Sequence, residues 1–319
     1  MYPAFGGFTA VVITDTIQGI IMLIGTFLLI LYVLKGVGSF EAMSASLDAN
    51  LPGWDRLTGT GYNAGSLLSF WVLVGVGVLG LPQTAVRGMG FKDTKSCHRA
   101  MLIGTVVAGV LMIGMHVAGA WAGALVGDQE FASSDYVIPT LIQNIMPVGV
   151  AGLFLAAPMA AVMSTVSSLL ILASASLVKD LWKNYVVRDD EKKVEKYNNN
   201  LSKISFFVTL LIGVIVFVLT LTPPDIIFWI NLFAMGGLEC AFLWPIVGGV
   251  FYKKGNKQAA ISSSVIGVLV YVVSYQFKLT VLGINSVVWG LLFGGLAYFI
   301  VGGITCRGGL DQDILDSCF

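Results

Sequence analysis

Residues 11–34 read VVITDTIQGIIMLIGTFLLILYVL, and a single charge, Asp15, interrupts the apolar run. A helix of that length is about 36 Å long, enough to cross a bilayer hydrocarbon core of about 30 Å. The run is too long for a signal-peptide core and has neither a basic n-region nor an A-x-A site, so it is a retained span. Seven further runs of the same kind follow, at roughly 64–86, 100–126, 148–178, 204–222, 226–251, 259–277 and 284–305. None shows the ten-residue alternation of a membrane β-barrel. The expected fold is an all-α integral membrane protein of about eight transmembrane helices.

Composition agrees. Of 319 residues 56% are hydrophobic and 11% charged, against about 25% charged in soluble globular domains. The formal net charge is zero, and the four cysteines, Cys97, Cys240, Cys306 and Cys318, form no CxxC pair. Nucleic-acid binding, a zinc module and a disulfide framework are therefore poorly supported. A nucleophile–base pair is also lacking, and His98 and His116 do not have metal-ligand spacing, which points away from an enzyme.

Charge outside the spans sets an expected orientation. The loop 87–99 carries Arg87, Lys92, Lys95 and Arg99; the loop 179–203 carries seven Lys and Arg residues; Lys253, Lys254 and Lys257 follow span six and Arg307 follows span eight. These alternate loops hold 15 of the 18 basic residues. Positive charge stays cytoplasmic, which puts these loops and both termini of the chain inside. The opposite loops carry Glu41, Asp48, Asp55, Asp128, Glu130 and Asp135. Segment 36–62 is expected to be a polar external loop. The stretch 187–203, VRDDEKKVEKYNNNLSK, is expected to be a solvated cytoplasmic hinge, its charges serving solvation. Trp54, Trp182 and Trp229 lie near span ends, as interfacial anchors do.

Three features carry candidate chemistry. In span four, Ala156-Ala157-Pro158-Met159-Ala160-Ala161-Val162-Met163-Ser164-Thr165, the residues Ala161, Ser164 and Thr165 share one helical face. Two hydroxyls and a backbone carbonyl there make half of a hard-cation site. Alternatively, the hydroxyls merely bond the carbonyl one turn back. Three ionisable groups, Asp15, His116 and Glu239, lie within spans, where such residues mark a pathway or a pair. Asp15 attracts a cation from the cytoplasm or caps a helix. Glu239 is a coupling carboxylate or a structural one, neutral and hydrogen-bonded to a neighbouring helix; His116 is expected to be a satisfied interior histidine. Span two ends Gly75-Val76-Gly77-Val78-Leu79-Gly80-Leu81-Pro82-Gln83-Thr84, where three glycines and a proline weaken the helix ladder. Broken spans of this kind recur at transporter binding sites, with Gln83 and Thr84 placed to hydrogen-bond a substrate; the alternative is a kink that serves packing alone.

At these residues the sequence resembles the sodium/solute symporter family. The matching stretches are Phe5-Gly6-Gly7-Phe8 with Asp15-Thr16-Ile17-Gln18-Gly19, Gly80-Leu81-Pro82-Gln83-Thr84-Ala85-Val86-Arg87 with Lys92-Asp93-Thr94-Lys95, the span-four string from Phe154 to Thr165, Lys179-Asp180-Leu181, and Gly236-Gly237-Leu238-Glu239 with Phe242-Leu243-Trp244-Pro245. The likeness runs along essentially the whole chain and is greatest to members that carry pantothenate.

The resemblance implies two inverted five-helix repeats, of which this chain is a part. Within one transmembrane domain, 1–319, residues 1–35 match the last helix of the first repeat, 64–252 the second repeat, and 257–305 a trailing helix pair. It implies sodium on Ala161, Ser164 and Thr165, a sodium exit path at Asp15, and a substrate cavity at Gln83 and Thr84. It further implies sodium as coupling ion with no cofactor, pantothenate as cargo, and a multi-pass place in a bacterial cytoplasmic membrane. A full-length member has about five further helices before the point matching Met1. Two alternatives stand beside this reading: another small solute, such as proline, a carboxylate or a sugar, or a non-transporting remnant or subunit that needs a separately encoded N-terminal half.

Overall fold

The structure is a computed structural model. It describes residues 2–51, 53–56, 58, 61–126, 131, 136–188, 190–221, 227–279 and 283–306. The acidic positions Asp128, Glu130 and Asp135, and Arg307 and Cys318, lie outside the described residues. Among the described residues seven helices are long and apolar enough to cross a membrane, or eight if one bent pair counts as a single span. This agrees with the eight runs read from sequence. Helices are the natural outcome, because in hydrocarbon each backbone N–H and C=O must find its partner within the segment.

The chain divides into two compact units, Met1–Pro52 with Asp93–Ile226, and Gly53–Lys92 with Ile227–Phe319. The first unit contains α1 (Tyr2–Val37), α2 (Phe40–Asn50), α5 (Thr94–Val126), α6 (Val137–Ile145), α7 (Val148–Ala175) and α8 (Glu191–Leu219). The second contains α3 (Ala64–Trp71), α4 (Pro82–Met89), α9 (Ile227–Phe251), α10 (Lys257–Gln276) and α11 (Ser286–Thr305).

In the first unit, Leu29 and Val33 of α1, Ala118 and Ala122 of α5, Leu141 and Ile142 of α6 and Phe154 of α7 form one buried cluster. Gly25 lies so close to the Ala157 methyl that a Cβ on it would collide. Small residues let membrane helices approach in this way, and dispersion between the close backbones replaces a hydrophobic driving force. Segment 36–62 departs from the expected loop, since α2 occupies eleven of its residues. Ser39 caps this helix by accepting from the Ala42 N–H at 3.1 Å, and Met43 and Leu47 are buried. Two apolar residues one turn apart suffice to seat a short helix that lacks the length of a span.

A second departure concerns the charged stretch 187–203. Past α7 the helix widens into a π-helix over Ser176–Val187, Arg188 turns with φ 53, and α8 starts at Glu191. Asp190 caps α8 by accepting from the Lys193 N–H at 3.3 Å. Most of the expected hinge is therefore the first turns of α8. Tyr197, 5% exposed, packs with Val178 and Val187 and donates its hydroxyl to the Val178 carbonyl at 3.2 Å.

In the second unit, Leu73, Cys240, Leu243, Tyr271, Val287 and Leu291 form the buried cluster. Helices α10 and α11 meet through glycines, a Cβ on Gly294 coming within 3.3 Å of the Gly267 Cα. The Ser69 hydroxyl of α3 accepts from the Asn285 N–H at the start of α11 at 2.8 Å.

Candidate functional site

One turn of α7 gathers the three expected oxygens. The Ser164 hydroxyl donates to the Ala161 carbonyl at 2.8 Å, and the Thr165 hydroxyl donates to the same carbonyl at 3.2 Å. A hydroxyl that donates its proton inward keeps lone pairs for an outside cation, so back-bonding and ligation are compatible at Ser164 and Thr165. The Ala161 carbonyl, by contrast, already accepts both protons and is free for a cation only when one hydroxyl turns away. Ser164 is half-buried and Thr165 exposed. Sequence reasoning passed over Ser167 and Ser168, whose hydroxyls donate to the Ser164 carbonyl at 3.0 and 2.9 Å. Their i+3 and i+4 spacing from Ser164 was the available signal.

Asp15 comes to the same level as these serines. Helices α1 and α7 run antiparallel, since Gly25 meets Ala157 while Leu29 and Val33 pack with Phe154, Val150 and Ala151. Asp15, ten residues before Gly25, is therefore level with Ser167, ten residues after Ala157. Asp15 is half-buried and the neighbouring Gln18 is buried. His116 departs from the interior place expected of it: it is exposed on α5, with Nδ1 at 2.6 Å from the Met112 carbonyl. The helix's other face, through Gly114 and Ala118, is the one that packs.

Span two is broken where the glycines and proline indicated. After α3 come a π-helical turn, Val72–Val76, and a 3-10 turn, Gly77–Gly80; Leu81 is extended (φ −78, ψ 119), and α4 resumes at Pro82 with a 44° bend. The glycines serve close approach as well as bending. A Cβ on Gly80 would lie 2.7 Å from the Leu243 backbone of α9, and a Cβ on Gly77 would run into the Glu239 carboxylate. Glu239 is fully buried, and neither of its oxygens has a hydrogen-bond partner among the described residues. An isolated charge in such surroundings is very costly unless a cation or a donor answers it. Gln83, in the first turn of α4, is half-buried and its Oε1 likewise has no hydrogen-bond partner among the described residues. Thr84 is exposed. The broken span also lines a cleft of about 300 Å³ with Tyr62, Ser66, Phe70, Leu73, Leu232 and Asn285, which sequence reasoning did not anticipate.

An oxygen-bearing helix turn and a broken span with unanswered polar groups are parts that a solute carrier needs. Residues 1–267 match the family described as "Sodium:solute symporter family". The chain belongs to the sodium:solute symporter family. Among curated members it is similar to the sodium/pantothenate symporter of Haemophilus influenzae, 43% identical over 304 residues, and to that of Escherichia coli, 40% identical over 306 residues. It is also similar to the osmoregulated proline transporter OpuE of Bacillus subtilis, 29% identical over 320 residues. The first two alignments cover 94% of this chain and the third 96%, and each covers 61% of the relative. This family carries solutes rather than catalysing reactions, and its multi-pass membrane character matches the helices described above. As a family member, the chain offers two separate groups of candidate residues. Asp15, Ala161, Ser164 and Thr165 fall in the first unit; Gln83, Thr84 and Glu239 fall in the second.

Proposed function

We propose that the chain is a portion of a sodium-coupled symporter that takes pantothenate into the cell across a bacterial cytoplasmic membrane, with both termini of residues 1–319 cytoplasmic. The observation that carries this reading is the pair of hydroxyl oxygens, Ser164 and Thr165, gathered on one helix turn beside the Ala161 carbonyl in a member of a sodium symporter family. Sodium takes oxygen ligands; Ser164 and Thr165 supply two, and the Ala161 carbonyl a third when a hydroxyl proton turns away from it. The rest of its shell comes from an N-terminal portion of the kind the longer relatives have, in the same polypeptide or as a separately encoded half. Asp15, level with the serine turn, draws the released ion toward the cytoplasm. Gln83 and Thr84 serve the substrate cavity at the break, where Glu239 acts either as a coupling carboxylate or as a structural one. Sodium binding favours the state open to external substrate, so the sodium gradient drives uptake by alternating access. The greater identity to pantothenate than to proline carriers supports pantothenate over the other cargoes.

The test is pantothenate uptake against sodium concentration in the complete protein. Ser164→Ala and Thr165→Ala each remove one oxygen, and a lost charge-assisted contact costs about 1.5–3 kcal/mol, or roughly ten- to hundredfold in half-saturating sodium. Expression stays near normal. A sodium dependence unchanged in both variants overturns the site.

A further inference from the structure

A cleft of about 620 Å³ opens in the first unit between the π-helix and the beginning of α8. Its walls include Lys193, Lys196, Lys203 and Phe207 on one side and Trp182 and Val186 on the other. The α8 residues fall at positions 193, 196, 200, 203, 204 and 207, which is one stripe of a helix. Glu191 and Glu195 fall on the opposite face, by 100° per residue.

The stripe changes character along its length. Three lysines and Asn200 occupy the end nearest the chain turn at Arg188; Ile204 and Phe207 continue it into the apolar part of α8. Lys193 to Phe207 is about 21 Å along the axis. Phe207 is 65% exposed and Trp182 46%, so the apolar walls are open beside the charges. Lys193 pairs with Asp190 at 3.5 Å, an exposed contact of little worth, whereas Lys196 and Lys203 have no ion pair among the described residues. Tyr197, bonded to Val178, holds the two walls together.

We propose that this cleft binds an anionic phospholipid of the surrounding bilayer. Its phosphodiester lies on Lys196 and Lys203, with Lys193 beyond, and an acyl chain runs along Ile204 and Phe207 against Trp182. A phospholipid has the same order of parts as the stripe: charge at the interface, hydrocarbon below it. Basic pockets between membrane helices are recognised sites for such headgroups. A soluble phosphate would use the lysines and leave the exposed apolar wall without a role. A zwitterionic lipid would bring its own cation against three others.

The experiment uses the full chain purified in a zwitterionic detergent. Dioleoylphosphatidylglycerol, dioleoylphosphatidylcholine and glycerol 3-phosphate are titrated in turn, with bound lipid counted by native mass spectrometry and the unfolding midpoint recorded. Phosphatidylglycerol binds saturably and raises the midpoint; the other two leave it unchanged. Lys193→Gln/Lys196→Gln/Lys203→Gln weakens phosphatidylglycerol at least tenfold, and the three corresponding Lys→Arg changes restore it. The control Lys192→Gln/Lys253→Gln/Lys254→Gln removes equal charge elsewhere and leaves binding within twofold. Equal weakening by the control means diffuse attraction and overturns the proposal. So does equal binding of phosphatidylcholine, or of glycerol 3-phosphate, which would mark a soluble-anion site. A glutamine variant that aggregates is replaced by Phe207→Ser, which keeps the charges and must still weaken the lipid while leaving glycerol 3-phosphate unbound.

Discussion

At the scale of single residues, Gly77 shows how one missing side chain makes room for a functional group. The Glu239 carboxylate lies where a Cβ on Gly77 would be, so Gly77→Ala overpacks the contact and destabilises the protein by about 1–3 kcal/mol. Glu239→Ala relieves it, and in the double variant Gly77→Ala costs less than half as much; a double-mutant cycle of unfolding midpoints in one fixed detergent measures this. Gly80→Ala meets backbone atoms of Leu243 and finds no such relief. Asp93 offers a pH-dependent case outside the spans. The Ser96 N–H, which donates to its Oδ1 at 2.6 Å, holds its carboxyl below the usual carboxylate range. A depressed folded-state pKa stabilises above the unfolded value, near pH 4, and that stabilisation is lost as pH falls through the folded value. Asp93→Asn should therefore be less stable than the parent at pH 7, with the gap closing as the pH is lowered below about 4, read from unfolding midpoints across a pH series. The Gly77 and Gly80 contacts are not visible from residue spacing, because each depends on a residue far along the chain, whereas Asp93, three residues before Ser96 at the start of α5, stands where a helix cap is expected.

At the scale of elements, the break in span two follows from chemistry that sequence exposes directly. Pro82 has no N–H to donate to the Val78 carbonyl, and Leu81 before it is pushed to extended geometry, as residues before proline are. Pro82→Ala restores that donor. The expected outcome is a straighter span two, with spin labels at positions 68 and 89 moving apart, and, on the proposed function, pantothenate uptake by the complete protein falling at least tenfold at normal expression. An unchanged label distance would mean that α9 packing, through Gly77 and Gly80, maintains the bend instead. The two elements that sequence placed as loops, α2 and the first turns of α8, show the opposite case. Each is too polar or too short to register as a span, and each is held by a cap plus a few buried residues, Met43 and Leu47 in one and Tyr197 in the other.

At the scale of the whole molecule, the charge pattern makes an orientation testable. With native cysteines removed, Lys253→Cys should react with a membrane-impermeant maleimide only after the cells are opened, and Asp48→Cys should react in intact cells. The reverse pattern would invert the topology. Sequence alone determined that this chain is a set of membrane helices, because hydrocarbon leaves each apolar run of about 20 residues one way to satisfy its backbone. It also brought Ala161, Ser164 and Thr165 onto one face, since a helix turn is local geometry. Only the tertiary structure decided that Glu239 rests on Gly77, that Asp15 is level with the serine turn, and that the lysines of α8 share a cleft with Trp182. Those facts depend on which helix faces meet, and in a chain apolar on nearly every face the hydrophobic pattern does not choose among them; close packing of small residues does.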